Sequence, residues 1–335
     1  MKNRTDPDSH SEFALGLDLG GTVLKFGIVD QRGQTVYEDQ LPSFGNQSRD
    51  AIRDQILKAV VRSREEAQSR GISIQGVGLG TPGTVDTTGC IQGELPNLPD
   101  WRGFPIVDFL KEISDDPVIV ENDANLMAVA EARTGAGIGY STVFGITFGT
   151  GIGGGFVVND ELYTGTGGAG EIGHTSVVPH GRSCPCGRTG CMERYGSVTA
   201  IEQTYQTRSG ALLTIQAIIE LWRAEDRLAA TVMEESFMYS CIGIINMLQI
   251  LRPECLILGG GLMEIDGAVF TSMARRLGEH MPEEARGTVA ILKAAHGNRA
   301  GMIGAGIQAL AVTGRDAAKD GRASTKQTRN TGGLR

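Results

Sequence analysis

Residues 15–30 read LGLDLGGTVLKFGIVD, and residues 143–160 read VFGITFGTGIGGGFVVND. In each stretch an apolar run meets a glycine turn and a second apolar run follows. The second run closes on Asp30 in one copy and on Asn159-Asp160 in the other. Placing Gly20 against Gly149 aligns Ile28, Val29 and Asp30 with Val157, Val158 and Asn159. A strand, a glycine turn and a strand, used twice, imply two related lobes facing one another. Around these repeats the pattern alternates short buried strands with helical periods. Strands are expected at 13–18, 24–30, 34–41, 74–79, 118–120, 143–148, 155–158 and 255–258. Helices are expected at 50–68, 122–133, 198–206, 212–223, 229–251 and about 299–312. The fold class that follows is α/β, two-lobed, with a cleft between the lobes.

Composition sets the outer limits. The chain has 335 residues, 40% of them hydrophobic, enough to bury a large core in two lobes. No apolar run reaches the roughly 18 residues that span a bilayer, so no membrane partner is expected. A net charge of −8 argues against nucleic acid as a bulk partner, because phosphate binding wants a basic face. Forty-eight glycines, about twice the usual share, lie between apolar runs and read as tight turns at strand ends. Residues 1–12 are polar and read as a flexible N-terminus without a secretory signal, and 313–335 as a polar, disordered tail. A cytoplasmic location is expected on that basis.

Asp18, Gly20, Gly21 and Thr22 sit between two strands, so the backbone N–H groups of that turn can point at an anion. Asp18 can reach Mg²⁺ through water, and Thr22 and Lys25 can bond phosphate oxygens. Gly149, Thr150 and Gly151 open the matching turn of the second lobe, and the pair would grip a polyphosphate from both sides. G-x-G-x-x-G occurs at Gly78, Gly149 and Gly165, yet a dinucleotide fold needs a helix straight after the glycines, and a strand follows Gly155. No G-x4-G-K-[ST] is present, which excludes a P-loop enzyme.

Between Gly170 and Glu193 lies E-x-G-H-x9-C-x-C-G-x2-G-C-x-E. His174, Cys184, Cys186 and Cys191 suit one tetrahedral Zn²⁺, and four protein ligands close its shell, which makes it structural. Gly187 and Gly190 allow the turns that gather the sulfurs. Glu171 and Glu193 flank the ligands as acceptors suited to a polyol. Cys90, Cys241 and Cys255 sit in apolar contexts and read as inert thiols. Asp123 stands where a strand ends and a helix begins, between Asn122 and Asn125. It is placed as a general base that accepts the proton of an attacking sugar hydroxyl, although a carboxylate there also caps a helix.

Taken in order, these motifs resemble the ROK family of sugar kinases and sugar-responsive repressors, from about residue 15 to 312. The resemblance rests on D-x-G-G-T-x2-K at Asp18, the segment Asn97-Leu98-Pro99-Asp100-Trp101, Asn122-Asp123, the second glycine turn, E-x-G-H and the cysteine run. It implies a two-lobed actin-like ATPase (ribonuclease H-like) fold with duplicated mixed-sheet domains, an interlobe cleft and a zinc-bound loop at 174–191. The small lobe would be 13–121 with about 299–312, and the large lobe 122–298. It further implies Asp123 as catalytic base and Gly83, Asn97, Asn122, Glu171, His174 and Glu193 as sugar contacts. Gly259, Gly260 and Gly261 would lie near the nucleotide's ribose or base, and a homodimer is expected. Arg194-Tyr195-Gly196 departs from the family's commoner small-residue run after the glutamate. A repressor would need several tens of residues for a helix-turn-helix before the first turn, and 12 precede the first strand. The expected reaction is transfer from ATP to the 6-hydroxyl of a hexose, glucose first. N-acetylmannosamine, N-acetylglucosamine or fructose are alternative acceptors, polyphosphate is an alternative donor, and a sugar-sensing regulator is a distant alternative.

Overall fold

The computed structural model describes residues 11–327 apart from Thr87, Glu94, Pro96, Asn97 and Pro99, with side chains of the last helix described to residue 313. The chain forms two compact units, Met1–Asp123 with Met302–Arg335, and Ala124–Gly301. Asn122 and Asp123 thus close the first unit's continuous stretch instead of opening the second.

In the first unit, β1 (Phe13–Leu19), β2 (Val23–Asp30) and β3 (Thr35–Pro42) form an antiparallel meander. After α1 (Arg49–Ser69), β4 (Ile74–Thr81) returns parallel to β1. A small hairpin of β5 (Thr84–Val85) and β6 (Ile91–Gln92) and helix α2 (Ile106–Ile113) lead to β7 (Val118–Asn122), parallel to β4. The sheet order is β3-β2-β1-β4-β7. Alternation along β1 sends Leu15, Leu17 and Leu19 into a core with Phe26, Ile52, Ile56 and Trp101, while Gly16 faces the other way.

The second unit opens with α3 (Asp123–Thr134), whose first residue still belongs to the first unit, and β8 (Thr142–Phe148), β9 (Ile152–Val158) and β10 (Glu161–Leu162) follow. Helices α4 (Glu193–Gly196), α5 (Val198–Ser209), α6 (Ile215–Arg223) and α7 (Arg227–Leu251) precede β11 (Cys255–Gly259). Then come α8 (Gly261–Ile265), α9 (Gly267–His280), β12 (Ala290–Lys293) and α10 (Ala300–Gln327), which re-enters the first unit at Met302. Sheet order β10-β9-β8-β11-β12 repeats that of the first unit, with β11 parallel to β8 and β12. Phe144, Ile146 and Phe148 point into a core with Phe237, Ile244, Leu256 and Leu258, as the three leucines of β1 do in theirs. Ser197, Thr214, Asp226 and Asp266 cap α5, α6, α7 and α9 through their side-chain oxygens. Among the described residues α7 is the one helix long and apolar enough to cross a bilayer, and its buried face belongs to this core.

The repeat is real in topology, and its alignment needs one correction. Gly16 pairs with Gly27 and Gly145 with Gly155, but the first turn leaves residues 20–23 between its last pair, Leu19 and Leu24, and the second leaves only 149–151 between Phe148 and Ile152. The shorter turn shifts the second arm by one, so Ile28 corresponds to Phe156 instead of Val157.

Glycine does more here than turn the chain. A Cβ at Gly16 would overlap the Met302 carbonyl oxygen, and one at Gly78 the Ala305 carbonyl oxygen, both on α10. A Cβ at Gly145 or Gly155 would come within 2.9 or 2.8 Å of Ala128 Cβ on α3. Each sheet therefore carries a glycine patch on which one helix lies backbone to backbone. That contact explains part of the glycine excess that the sequence reading assigned to turns alone. The last helix runs on to Gln327, past the end expected at 312. Residues 313–327, expected as a polar tail, are thus drawn as a continuation of that helix. Residues 328–335 lie outside the described residues.

Candidate active site

In the first unit the parallel strands β1, β4 and β7 end side by side, with Asp18 paired to Gly80 and Thr81 to Asn122. Ligands of open α/β sheets gather beyond such carboxyl ends. Asp18 is half-buried and sits across from Lys25 in the hairpin register. Burial, and then the nearby Asp123 charge, push its carboxyl up to about 7, against the pull of Lys25. The turn between them closes by Gly20 N–H donating to the Val23 carbonyl at 2.9 Å, which leaves the N–H groups of Gly21 and Thr22 turned to no acceptor among the described residues. Asn122 is fixed twice: its N–H donates to Glu121 Oε1 at 2.8 Å and its Nδ2 to the Gly83 carbonyl at 3.1 Å. Gly83 has φ +84°, and a Cβ there would overlap the Gln92 carbonyl oxygen, so the turn accepts no side chain. Asp86 steadies the same hairpin by accepting from the N–H groups of Thr88 and Cys90 and from Gln92 Nε2. The structure thus gathers Asp18, Gly83, Asn122 and Asp123 beyond the carboxyl ends of β1, β4 and β7. Asn97 lies outside the described residues.

The second unit presents the matching turn at the end of β8. Gly149 N–H donates to the Gly151 carbonyl at 2.9 Å, and Ile152 N–H to Glu193 Oε2 at 2.9 Å. Thr150 and Gly151 then keep their N–H groups without an acceptor among the described residues, as Gly21 and Thr22 do in the first unit. The carbonyls are held from behind, Gly149 O by Val198 N–H and Thr150 O by the Thr199 hydroxyl, each at 2.8 Å. Gly260 has φ +87°, and a Cβ on it would lie 2.5 Å from the backbone N and O of Phe148. Gly260 therefore packs directly on the root of this turn, while Gly259 lies against Ala294 and Gly261 has open space beside it. Paired adjacent N–H groups at a tight turn form a concavity for an anion.

The 3-10 turn Ile172–His174 begins just after Glu171 and rests on β9, where a Cβ at Gly173 would overlap the Ile152 carbonyl oxygen. Packing thus demands the glycine of E-x-G-H. His174, Cys184, Cys186 and Cys191 converge with all four ligand atoms within 4.8 Å of one another. His174 Nδ1 lies 3.6 Å from Cys184 Sγ, and the Cys186 and Cys191 sulfurs are 3.6 Å apart. A tetrahedral ion with metal–sulfur bonds near 2.3 Å sets its sulfurs about 3.8 Å apart, so the donor set fits one metal. Burial pushes the Cys191 thiol up to about 12 and raises Cys184 as well, a cost that a bound cation would reverse. Gly187 and Gly190, at φ +85° and +75°, turn the chain between the sulfurs as expected. Glu193 follows two residues after Cys191.

The sequence reading assigned no supporting role to three residues, although it quoted Trp101 in the segment 97–101. Tyr195, noted there only as a departure, braces the cysteine loop: its hydroxyl accepts from Arg182 N–H at 2.7 Å, and the Arg182 guanidinium lies 4.7 Å over its ring. Glu131 is fully buried and accepts from the N–H groups of Ala136, Ala295 and His296 at 2.7–2.9 Å. An acid inside an alanine-rich helical run was the available signal. Trp101, also fully buried, donates Nε1–H to Thr81 Oγ1 at 3.0 Å, at the end of β4.

The ROK family model matches residues 14–312. The glucokinase of Halalkalibacterium halodurans is 33% identical over 310 residues, covering 87% of this chain and 93% of that protein. The N-acetyl-D-glucosamine kinase of Salmonella typhimurium is 34% identical over 306 residues, with 87% and 97% covered. A ROK family glucokinase from Streptomyces griseus, solved with glucose and AMPPNP, superposes with a TM-score of 0.77 at 30% identity, covering 89% of this chain and 99% of that one. The actin-like ATPase architecture is common to this chain and to that enzyme.

Proposed function

The chain belongs to the ROK family, and on that premise we propose that it is an ATP-dependent sugar kinase that phosphorylates the 6-hydroxyl of a hexose, glucose first. The observation that carries the reading is the pair of turns, each ending a β-strand and each holding two adjacent N–H groups with no acceptor among the described residues. A polyphosphate is the ligand such turns suit.

In this reading Asp123 takes the 6-hydroxyl proton as the oxygen attacks the γ-phosphorus, at the end of β7 where Asn122 and Gly83 also stand. Asn122, Glu171, His174 and Glu193 hold the other hydroxyls, with Gly83 and Asn97 beside them. The N–H groups of Gly21 and Thr22, and of Thr150 and Gly151, stabilise charge on the phosphates. Lys25 and Thr22 add bonds to phosphate oxygens, and Gly259 to Gly261 border the ribose or base. Asp18 would hold Mg²⁺ through water, and that ion supplies neutralisation of the β- and γ-oxygens when bound. The cluster of His174, Cys184, Cys186 and Cys191 would hold a structural Zn²⁺, whose ordering of the loop sets Glu171 and Glu193. A homodimer in the cytoplasm belongs to the same proposal.

Similarity to an N-acetyl-D-glucosamine kinase at 34% identity supports the second reading, an N-acetylated hexosamine as acceptor. A coupled assay of ADP release with ATP across a panel of hexoses and N-acetylhexosamines tests both. Glucose should give the highest kcat/KM. A higher value with N-acetylglucosamine or N-acetylmannosamine replaces the first reading with the second, and no turnover with any sugar removes both.

A further inference from the structure

Glu193 is half-buried at the start of α4, and its Oε2 accepts the Ile152 N–H at 2.9 Å. A Cβ at Gly151 would overlap that same oxygen. The remaining supports of the turn, from Val198 and Thr199, act on its carbonyls. Glu193 is therefore the side chain that fixes the N–H side, beside the two groups of Thr150 and Gly151 left for an anion. Its other oxygen, Oε1, accepts no bond from the described residues.

We propose that Glu193 is a positioning residue for the phosphate turn and couples the sugar to the nucleotide. Oε2 holds Ile152, which aims the N–H groups of Thr150 and Gly151, and Oε1 is left for a sugar hydroxyl. One carboxylate then touches both substrates' sites, and a hydroxyl bound at Oε1 meets an acceptor whose direction the turn has already set. Coupling of this kind is reciprocal: sugar tightens nucleotide by the factor with which nucleotide tightens sugar. The inference rests on the kinase reading and extends it, since there Glu193 serves the sugar alone. It also changes the reason for glycine at 151, which is room for the carboxylate as much as for phosphate.

Charge makes the test sharp. A carboxylate next to a triphosphate repels it, so a Glu193 that did not position the turn would hinder nucleotide binding, and its removal would tighten it. Titration calorimetry of the full chain with Mg-AMPPNP, with and without glucose, reads the difference. Without sugar, E193A should weaken AMPPNP about tenfold, the scale of one charge-assisted bond to a backbone N–H. E193Q, which keeps an acceptor for Ile152 and drops the charge, should bind AMPPNP as well as the parent or better. G151A should weaken AMPPNP too, and G151A/E193A should be no worse than E193A, because the overlap disappears with the carboxylate. E193D, one methylene shorter, repeats the comparison if E193A does not fold. Unchanged or tighter AMPPNP binding by E193A without sugar, or additive losses in the double variant, overturns the proposal while leaving the kinase reading intact. A parent chain that binds neither AMPPNP nor glucose overturns that reading first, and this one with it.

Discussion

At the residue scale, Asp123 and Asp18 are two neighbouring carboxylates with opposite demands on them. Asp123→Asn keeps size and capping ability but cannot accept a proton, so kcat should fall about 10²–10⁴-fold while the sugar Kd changes little. Steady-state rates beside a binding titration check this, and a near-normal kcat with a lowered Tm would leave Asp123 as a helix cap. Asp18 is pushed up to about 7 by burial and by Asp123. Its folded value lies above its unfolded one, so the native state holds the proton more tightly. Stability is unaffected by this group in strong acid, declines as pH rises from about 4 through 7, and carries the full penalty above that. Asp18→Asn should therefore raise Tm at pH 8 by clearly more than at pH 5, while activity drops. An equal change at both pH values would show that Asp18 is not strained by its setting. Both residues were legible from sequence because each ends an apolar run just before a turn or a helix. Their mutual electrostatics were not, since 105 positions separate them in the chain and only the parallel pairing of β1, β4 and β7 brings their strand ends together.

At the scale of elements, the cysteine loop and the glycine patches make different demands on stability. Cys184→Ala or Cys186→Ala should cost the bound metal, lower Tm and weaken sugar binding together, because the loop from His174 to Cys191 loses the ion that joins its ends. Elemental analysis of untagged protein, thermal melts before and after chelation and a sugar titration read the three effects, and protein that melts unchanged without metal would deny the loop its metal staple. Glycines sort by what a methyl group would meet. Gly16→Ala would press on the backbone of α10 and should destabilise by about 1–3 kcal/mol, as overpacking does. Gly278→Ala, on an exposed position of α9 with nothing within 4 Å, should stabilise by about 0.5–1 kcal/mol. Denaturant melts of the two variants should move in opposite directions. The sequence announced the cysteine loop through spacing alone. It concealed α8 and α9, whose apolar residues are scattered among glycine and charge, β12, which is only four residues long, and the hairpin of β5 and β6, whose strands are two residues each. Nor could composition separate a turn glycine from a packing glycine, because that depends on which helix lies across it.

At the scale of the molecule, the repeated motif was enough to read two related units, and the strand orders bear out the duplication. What the repeat could not give was the way the chain divides its helices. Helix α3 starts at the end of a first-unit strand and packs on the second sheet at Gly145 and Gly155, while α10 starts in the second unit and packs on the first sheet at Gly16 and Gly78. The second unit is consequently one continuous stretch, Ala124–Gly301, whereas the first is assembled from two separate ones. That asymmetry has a measurable consequence. A fragment of residues 124–301 contains a whole sheet, its covering helix, a continuous core from Phe144 to Val289 and all four cysteine-loop ligands. It should fold alone, melt cooperatively and bind one metal per chain. A fragment of residues 1–123 lacks the helix that covers Gly16, Gly27 and Gly78, leaving one sheet face of backbone and small residues open to water. With that face uncovered it should remain unfolded or aggregate, and adding a peptide of residues 300–327 should restore helical and sheet signal by circular dichroism. Cooperative folding of 1–123 by itself would show that α10 is an accessory to the first unit, and the close glycine contacts would then need another explanation.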